Sequence, residues 1–196
     1  MMKIIKEIKG LLSFIKENTI IMGSCKKVTY KRLNIVFKDN SYLTLLNVCW
    51  IIKTIDILPG NVLKNLVNSN IIIRINNLEC YEVGGAFCNG YYVEHVICLR
   101  KFLSFYNLKR TFCHEIGHFI DYKIGRGSSY VMNNEDYNHV YNNNITSFYK
   151  KYGEHYKSKS ESFAEACSLY LTIDDLFSKE YPELRFYILN KISLLA

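Results

Sequence analysis

The sequence has little proline, one tryptophan and no long block of charge of one sign. Only two of its 196 residues are proline, and 25 Lys and Arg stand against 18 Asp and Glu, a formal net charge of +7. The basic residues are interspersed with acidic ones, which is typical of a solvated surface and argues against a nucleic-acid partner. The densest basic stretches, at 26–32 and 150–159, predict either solvated surface or a mild preference for acidic partners.

The chain also lacks the cysteine pattern of a disulfide framework. Its seven cysteines form no CxxC pair, and an odd number leaves one over in any complete pairing. This pattern favours reduced thiols in a cytosol-like compartment.

Long apolar runs are absent as well. Charged residues interrupt the N-terminal segment 1–21, so no recognisable signal peptide is present. We therefore expect a cytoplasmic or phage-associated protein, with secretion by another route as the alternative. No stretch reaches the length of a transmembrane span, so no transmembrane segment is expected.

Apolar residues of the N-terminal segment instead recur at helical spacing: Ile4, Ile8, Leu11, Leu12 and Ile15. This spacing predicts an amphipathic helix that packs on the domain. A helix lying on a membrane surface is the alternative interpretation.

The remaining pattern predicts strands mainly in the first half and helices in the second. Strands are expected at 27–38, 71–75, 82–87 and 91–99, the last two flanking an Asn89-Gly90 turn. Helices are expected at 42–57, 61–67, 105–124 (with Gly125 as its C-cap), 158–172 and after Pro182, with a loop and a weak helix at 126–144. This order indicates an α+β fold. We expect residues 1–49 to pack on a domain formed by residues 50–196, the part of the chain that carries the family resemblance described below.

The helix at 105–124 carries the motif His114-Glu115-Ile116-Gly117-His118. Two histidines four residues apart project from one face of a helix, one turn apart, and can both bind one Zn²⁺ ion. Glu115 next to the first ligand is suited to accept a proton from zinc-bound water and pass it to the leaving amine. Gly117 permits another element to pack closely against this helix.

A third ligand is needed, and positions 121 and 124 are Asp and Ile rather than His. A carboxylate from a second helix is the remaining option, and Glu161-Ser162-Phe163-Ala164-Glu165 offers two of them one turn apart. Glu161 is suited to bind zinc while Glu165 hydrogen-bonds the free ring nitrogen of a ligand histidine. The alternatives are a solvated acidic stripe, or Glu161 as the capping partner of Ser158.

Together, the segments 114–121 and 161–166 resemble the catalytic domain of anthrax lethal factor and the clostridial Pro-Pro endopeptidases, over residues 50–196. The resemblance implies a zincin-like α+β metallopeptidase fold with a small sheet, an active-site helix and a mostly helical C-terminal half. It implies one catalytic zinc bound by His114, His118 and Glu161, with Glu115 as the base and Glu165 supporting a ligand.

The resemblance also implies three features outside these motifs. Gly84-Gly85-Ala86-Phe87 would be a sheet edge to which an extended substrate adds as a strand, or else a simple bulge. Either Tyr152 or Tyr156 would donate a hydrogen bond to the oxyanion. Asp121 would either brace the site or lie as a plain acid on the helix surface.

We therefore expect a zinc-dependent endopeptidase that hydrolyses a protein or peptide substrate by Glu115-assisted attack of zinc-bound water. One alternative is a non-enzymatic zincin-like interaction module or toxin-like effector. Another is a basic nucleic-acid binder, whose binding would depend on salt and be insensitive to chelators.

Overall fold

The computed structural model describes residues 2–76, 82–83, 86–87, 90–93 and 95–195. Its helices are α1 Met2–Asn18, α2 Tyr42–Ile57, α3 Gly60–Asn68, α4 Phe105–Ile124, α5 Glu135–Tyr152, α6 Lys159–Glu180 and α7 Pro182–Ser193. Its strands are β1 Ile20–Met22, β2 Cys25–Tyr30, β3 Leu33–Phe37, β4 Ile72–Asn76, β5 Glu82–Val83, β6 Ala86–Phe87, β7 Gly90–Val93 and β8 Val96–Arg100.

The chain forms two compact units. The first comprises the chain up to Leu58 together with Leu63–Phe112, and the second comprises Pro59–Val62 and the chain from Cys113 onward. The predicted boundary between residues 49 and 50 lies inside α2, and the units divide at other positions.

A six-stranded sheet in the order β1-β2-β3-β4-β8-β7 organises the first unit. Strands β3, β4 and β8 pair in parallel, and the outer strands pair antiparallel. In β3 and β4 alternate side chains are buried, as a pleated sheet covered on one face requires; they are Leu33, Ile35, Phe37, Ile73 and Ile75. In β8 three consecutive side chains are buried: Ile97, Cys98 and Leu99. The predicted α+β class is confirmed, with parallel strands at the centre of the sheet.

Two of the predicted strands are hairpins. The segment 27–38 turns between β2 and β3 at Lys31 and Arg32, whose φ angles are 45° and 68°. The segment 91–99 contains β7 and β8, which pair antiparallel on either side of a turn that includes His95, at φ 66°. Left-handed φ angles usually belong to Gly or Asn, so Lys, Arg and His gave no turn signal.

The proposed substrate edge falls only partly on described residues. Gly84 and Gly85 lie outside them, as does Asn89 of the predicted turn. Ala86 and Phe87 form β6, which pairs with β5 in a separate two-stranded sheet. A substrate-binding role for this segment stays a prediction.

Helix α2 begins at its N-cap Ser41, whose hydroxyl accepts a hydrogen bond from the Thr44 N–H at 3.3 Å. Asn47 on this helix is fully buried, and its side chain binds both the carbonyl and the N–H of Phe102, at 2.9 and 2.8 Å. These bonds satisfy the carbonyl and N–H of Phe102, just after β8, which would otherwise be buried without hydrogen-bond partners.

The predicted N-terminal helix is confirmed as α1. Its Ile15 is fully buried, the ring of Phe14 lies 5.9 Å from that of Tyr30, and Glu7 forms an ion pair with Lys53 at 3.1 Å. Helix α1 therefore packs within the first unit.

Among the described residues, no single helix has the length and apolarity to cross a membrane. Helices α2 and α3 reach that length and composition only as a pair bent by 119°.

The second unit is helical. Helix α5, predicted only as a loop with a weak helix, begins at Asn134, whose side chain accepts the Tyr137 N–H at 2.8 Å. Two acids in its first turn and two lysines in its last turn suit the helix dipole. Buried Tyr137 and Phe148 anchor it to the unit. This anchoring cannot be inferred from a segment so rich in asparagine.

Helix α6 continues beyond the predicted end at residue 172. The backbone leaves helical geometry at Ile173, with φ −143° and ψ 44°, and the helix then resumes to Glu180. Asp174 just after this kink receives two parallel hydrogen bonds from the guanidinium of Arg185 on α7, each 2.7 Å long. This bidentate pair ties α7 to the second half of α6.

Candidate metal centre

The second half of α4 presents its two histidines beside a buried apolar face. Cys113, Ile116 and Ile120 are fully buried, so this face is held in the interior of the second unit. The rings of His114 and His118 lie one turn apart, with centroids separated by 4.9 Å. Both histidines are only partly buried, as ligands near a solvent-accessible site must be.

Helix α6 presents the two carboxylates. It begins at Ser158, whose hydroxyl accepts the Glu161 N–H at 3.2 Å. Phe163 and Ala164 are fully buried, and Glu161 and Glu165 lie one turn apart on the face toward α4. Ser158 is thus the cap, while the Glu161 carboxylate binds histidines rather than the end of its own helix.

Gly117 sets the distance between α4 and α6. A β-carbon added at Gly117 would lie 2.6 Å from the Cα and 2.8 Å from the carbonyl oxygen of Ala164, and 3.0 Å from the Cβ of Cys167. Real side chains do not tolerate such distances to backbone atoms. Glycine at this position therefore allows the two helices to approach closely, one residue before His118.

The close approach brings imidazoles and carboxylates together. His114 Nε2 lies 3.1 Å from Glu161 Oε2, and His118 Nε2 lies 3.5 Å from Glu161 Oε1. His114 Nδ1 lies 3.1 Å from Oε2 of Glu165, which is 1% exposed. Within the described part of the chain, one ligand atom each from His114, His118 and Glu161 lie within 4.8 Å of one another, a group that could hold a metal ion.

The electrostatics of the cluster favour positive charge. Burial lowers the pKa of His114, but the hydrogen bonds to Glu161 and Glu165 outweigh it and raise that pKa to about 10. Burial raises the pKa of Glu161, but the hydrogen bonds to His114 and His118 outweigh it and hold that pKa well below its usual range. The carboxylates thus stabilise a cation between these groups, whether a proton or a metal ion.

Glu115 and Asp121 lie on the same helix in different surroundings. Glu115 is 4% exposed, and its charge contributes to the raised pKa of His114. Asp121 is 3% exposed and accepts hydrogen bonds from Ser129 Oγ at 2.6 Å and from the Val131 N–H at 2.9 Å. Asp121 therefore holds the segment that follows α4 and is not a surface acid; a bracing role at the metal centre stays a prediction.

The end of α4 differs in detail from the predicted glycine cap. The left-handed residues are Arg126, at φ 52°, and Gly127, at φ 102°. The Gly127 N–H returns to the Tyr122 carbonyl at 3.1 Å. Gly125 is needed for space, because a β-carbon there would lie 1.9 Å from the Ser128 carbonyl oxygen.

The two candidate tyrosines have different neighbours. The Tyr156 ring lies 6.0 Å from the His114 ring. The Tyr152 ring lies 4.9 Å from Phe148 and 6.3 Å from Tyr181, in an aromatic cluster. The structure therefore brings Tyr156 next to a candidate ligand.

Sequence reasoning missed two polar residues that contact the cluster. His155 Nε2 lies 2.9 Å from Glu161 Oε2, and Ser160 Oγ lies 3.3 Å from His118 Nδ1. Neither belongs to the two motifs. In the sequence, His155 lies six residues before Glu161 and Ser160 directly before it. A polar residue this close to a candidate ligand is too common to identify a functional residue.

Comparison with known proteins supports the fold. No protein-family model matches the chain, and no curated protein matches its sequence significantly. Among solved structures, the Pro-Pro endopeptidase of Paenibacillus alvei matches with a TM-score of 0.59 and 18% identity, covering 80% of this chain and 96% of that one. The chain therefore has a fold like that of a Pro-Pro endopeptidase, and the resemblance to lethal factor stays a prediction.

The contact at Gly117 predicts opposite outcomes for one substitution at two helical glycines. Gly117→Ala should lower the free energy of unfolding by about 1–3 kcal/mol, because the methyl group overpacks against the α6 backbone. Gly10→Ala should raise it by about 0.5–1 kcal/mol, because Gly10 in α1 has open space around it and alanine favours the helix. Urea denaturation of the variants measures both. A Gly117→Ala variant as stable as the wild type would show that the helices are not in close contact.

Proposed function

We propose that the chain is a zinc-dependent endopeptidase whose metal centre is formed by His114, His118 and Glu161. The observation that supports this most directly is the convergence, from two helices, of one ligand atom each from two histidines and one carboxylate within 4.8 Å. Zinc sites of hydrolases typically combine three protein ligands of these types with one open position.

The donor set fits zinc in its chemistry as well as in its number. The contact of Glu165 with His114 Nδ1 selects the tautomer that leaves the Nε2 lone pair available for a metal. Ser160 Oγ lies 3.3 Å from His118 Nδ1, and as an acceptor there it would favour the same tautomer. A bound zinc ion would supply Lewis acidity toward a peptide carbonyl and lower the pKa of water at the site.

Glu115 is assigned the role of proton carrier. Its position next to His114 places a carboxylate beside the ligand set, and its 4% exposure keeps that carboxylate largely out of bulk water. A carboxylate in this position is suited to accept a proton from the attacking water. The same carboxyl then protonates the departing amine, so that one residue serves both halves of the hydrolysis.

Tyr156 is assigned the role of hydrogen-bond donor to the developing oxyanion. Both tyrosine rings contact Phe148, but Tyr152 also contacts Tyr181, whereas Tyr156 lies beside His114. A phenol held next to a ligand can be aimed at the negative charge that forms on the carbonyl oxygen.

The substrate class follows from the same proposal. The structural neighbour is a Pro-Pro endopeptidase, and a protein or peptide substrate is proposed here by analogy. A library that includes Pro-Pro sequences is therefore the appropriate probe of cleavage.

Glu115→Gln tests the assignment of the base. The variant should retain zinc, because Glu115 is not a ligand, while kcat/KM on a cleaved library peptide falls about 10²–10⁴-fold. Glu183→Gln, the same change at an exposed position on α7, should leave cleavage unaltered. Mass-spectrometric mapping of cut sites together with zinc analysis measures both properties. If zinc is bound but the wild type cleaves nothing, the chain is an interaction module instead of a peptidase.

Tyr156→Phe separates the two tyrosines. Loss of the hydroxyl should lower kcat about 10²–10³-fold with little change in KM, since the hydrogen bond forms only in the transition state. Tyr152→Phe removes the same atom from the aromatic cluster and should leave kcat close to that of the wild type. Steady-state kinetics on one peptide decides between them, and the reverse ranking would assign the donor to Tyr152.

A further inference from the structure

His155 contacts the proposed carboxylate ligand, although it belongs to neither motif. Its Nε2 lies 2.9 Å from Glu161 Oε2, the oxygen that also lies 3.1 Å from His114 Nε2. Because an ionised carboxylate can only accept, the imidazole Nε2–H is the donor in this bond. The His155 side chain is 71% exposed, so it reaches the cluster from the solvent side.

The backbone around His155 is held at both ends. A 3₁₀ turn over Glu154–Lys157 carries it, and this turn starts at Gly153, whose φ of 127° few other residues adopt. The Gly153 N–H donates to the Tyr149 carbonyl of α5 at 2.7 Å. At the other end, the Lys157 carbonyl accepts a hydrogen bond from the Tyr141 hydroxyl. Hydrogen bonds therefore hold the backbone of this turn at both ends, although the turn is exposed.

The ring of His155 is also supported from the side. Its centroid lies 5.5 Å from the Tyr156 ring in an edge-on contact, and Tyr156 in turn lies 6.0 Å from His114. Edge-on contacts of this kind are a favoured arrangement of aromatic rings. The imidazole is thus directed toward Glu161 although most of its surface is in water.

With His155 included, each proposed ligand has one hydrogen-bonding partner of its own. Glu165 contacts His114 Nδ1 and Ser160 contacts His118 Nδ1. The Glu161 side chain has several rotatable bonds, and fixing its carboxylate in one orientation beside the histidines costs conformational entropy.

We propose that His155 is the positioning residue of Glu161, holding the carboxylate toward His114 and His118 so that the three ligands are arranged before the metal binds. The inference rests on the proposed function, because it takes Glu161 as a metal ligand. Partners of this kind commonly change metal affinity about 10- to 100-fold when they are removed.

The test is a Zn²⁺ titration of the full chain in competition with a chromophoric chelator. His155→Ala should weaken zinc binding about 10- to 100-fold, whereas His155→Gln, which keeps a donor near the Nε2 position, should restore most of the affinity. His139→Ala is the matched control, because His139 is an exposed histidine on α5 and the change should leave affinity unaltered. Circular dichroism checks that all variants fold.

Visible absorption of the Co²⁺-loaded protein distinguishes positioning from direct binding. If His155 only positions Glu161, the ligand-field bands of His155→Gln should match those of the wild type. Equal loss of affinity in both variants together with altered bands would make His155 a ligand and overturn the proposal. Unchanged zinc affinity in His155→Ala would overturn it while leaving the proposed function intact. Absence of zinc binding by the wild type would contradict both.

Discussion

The close approach of α4 and α6 at Gly117 is the constraint on which the candidate site depends. The backbone of Ala164 occupies the space where any other residue at position 117 would place its β-carbon. Because the helices meet there, His118 on one side and His114 on the other face the first turns of α6. The imidazole–carboxylate contacts of 3.1 to 3.5 Å follow from this approach and would be lost with a slightly wider separation.

Burying the carboxylates between α4 and α6 also costs free energy, and a cation offsets that cost. Glu165 and Glu115 are almost completely buried, and Glu161 is partly buried. Burial of carboxylates is unfavourable unless positive charge or hydrogen-bond donors compensate. Although burial lowers the pKa of His114, that pKa is raised overall because the neighbouring carboxylates favour its positively charged form. A divalent ion would meet the same demand for positive charge, as the proposed metal centre requires.

The sequence predicted which side chains of the candidate site lie together, but it predicted the connections around them less well. His114, His118, Glu161 and Glu165 could be placed because helical periodicity is regular and two helices meeting on small residues leave few arrangements. The hairpin at Lys31 and Arg32 could not be recognised, because neither residue is a usual turn former and tertiary pairing imposes their left-handed backbone. Helix α5 was underestimated since its stability comes from the Asn134 cap and from burial of Tyr137 and Phe148. His155 was missed because its contact with Glu161 depends on a 3₁₀ turn that the sequence pattern does not predict.

Anomalous diffraction at the zinc absorption edge, from crystals of the zinc-treated protein, tests the proposed metal centre. We expect one strong anomalous peak bonded to His114 Nε2, His118 Nε2 and the Glu161 carboxylate, with metal–ligand distances of about 2.0–2.2 Å. Absence of a peak between these residues, or a peak held by other residues, would contradict it.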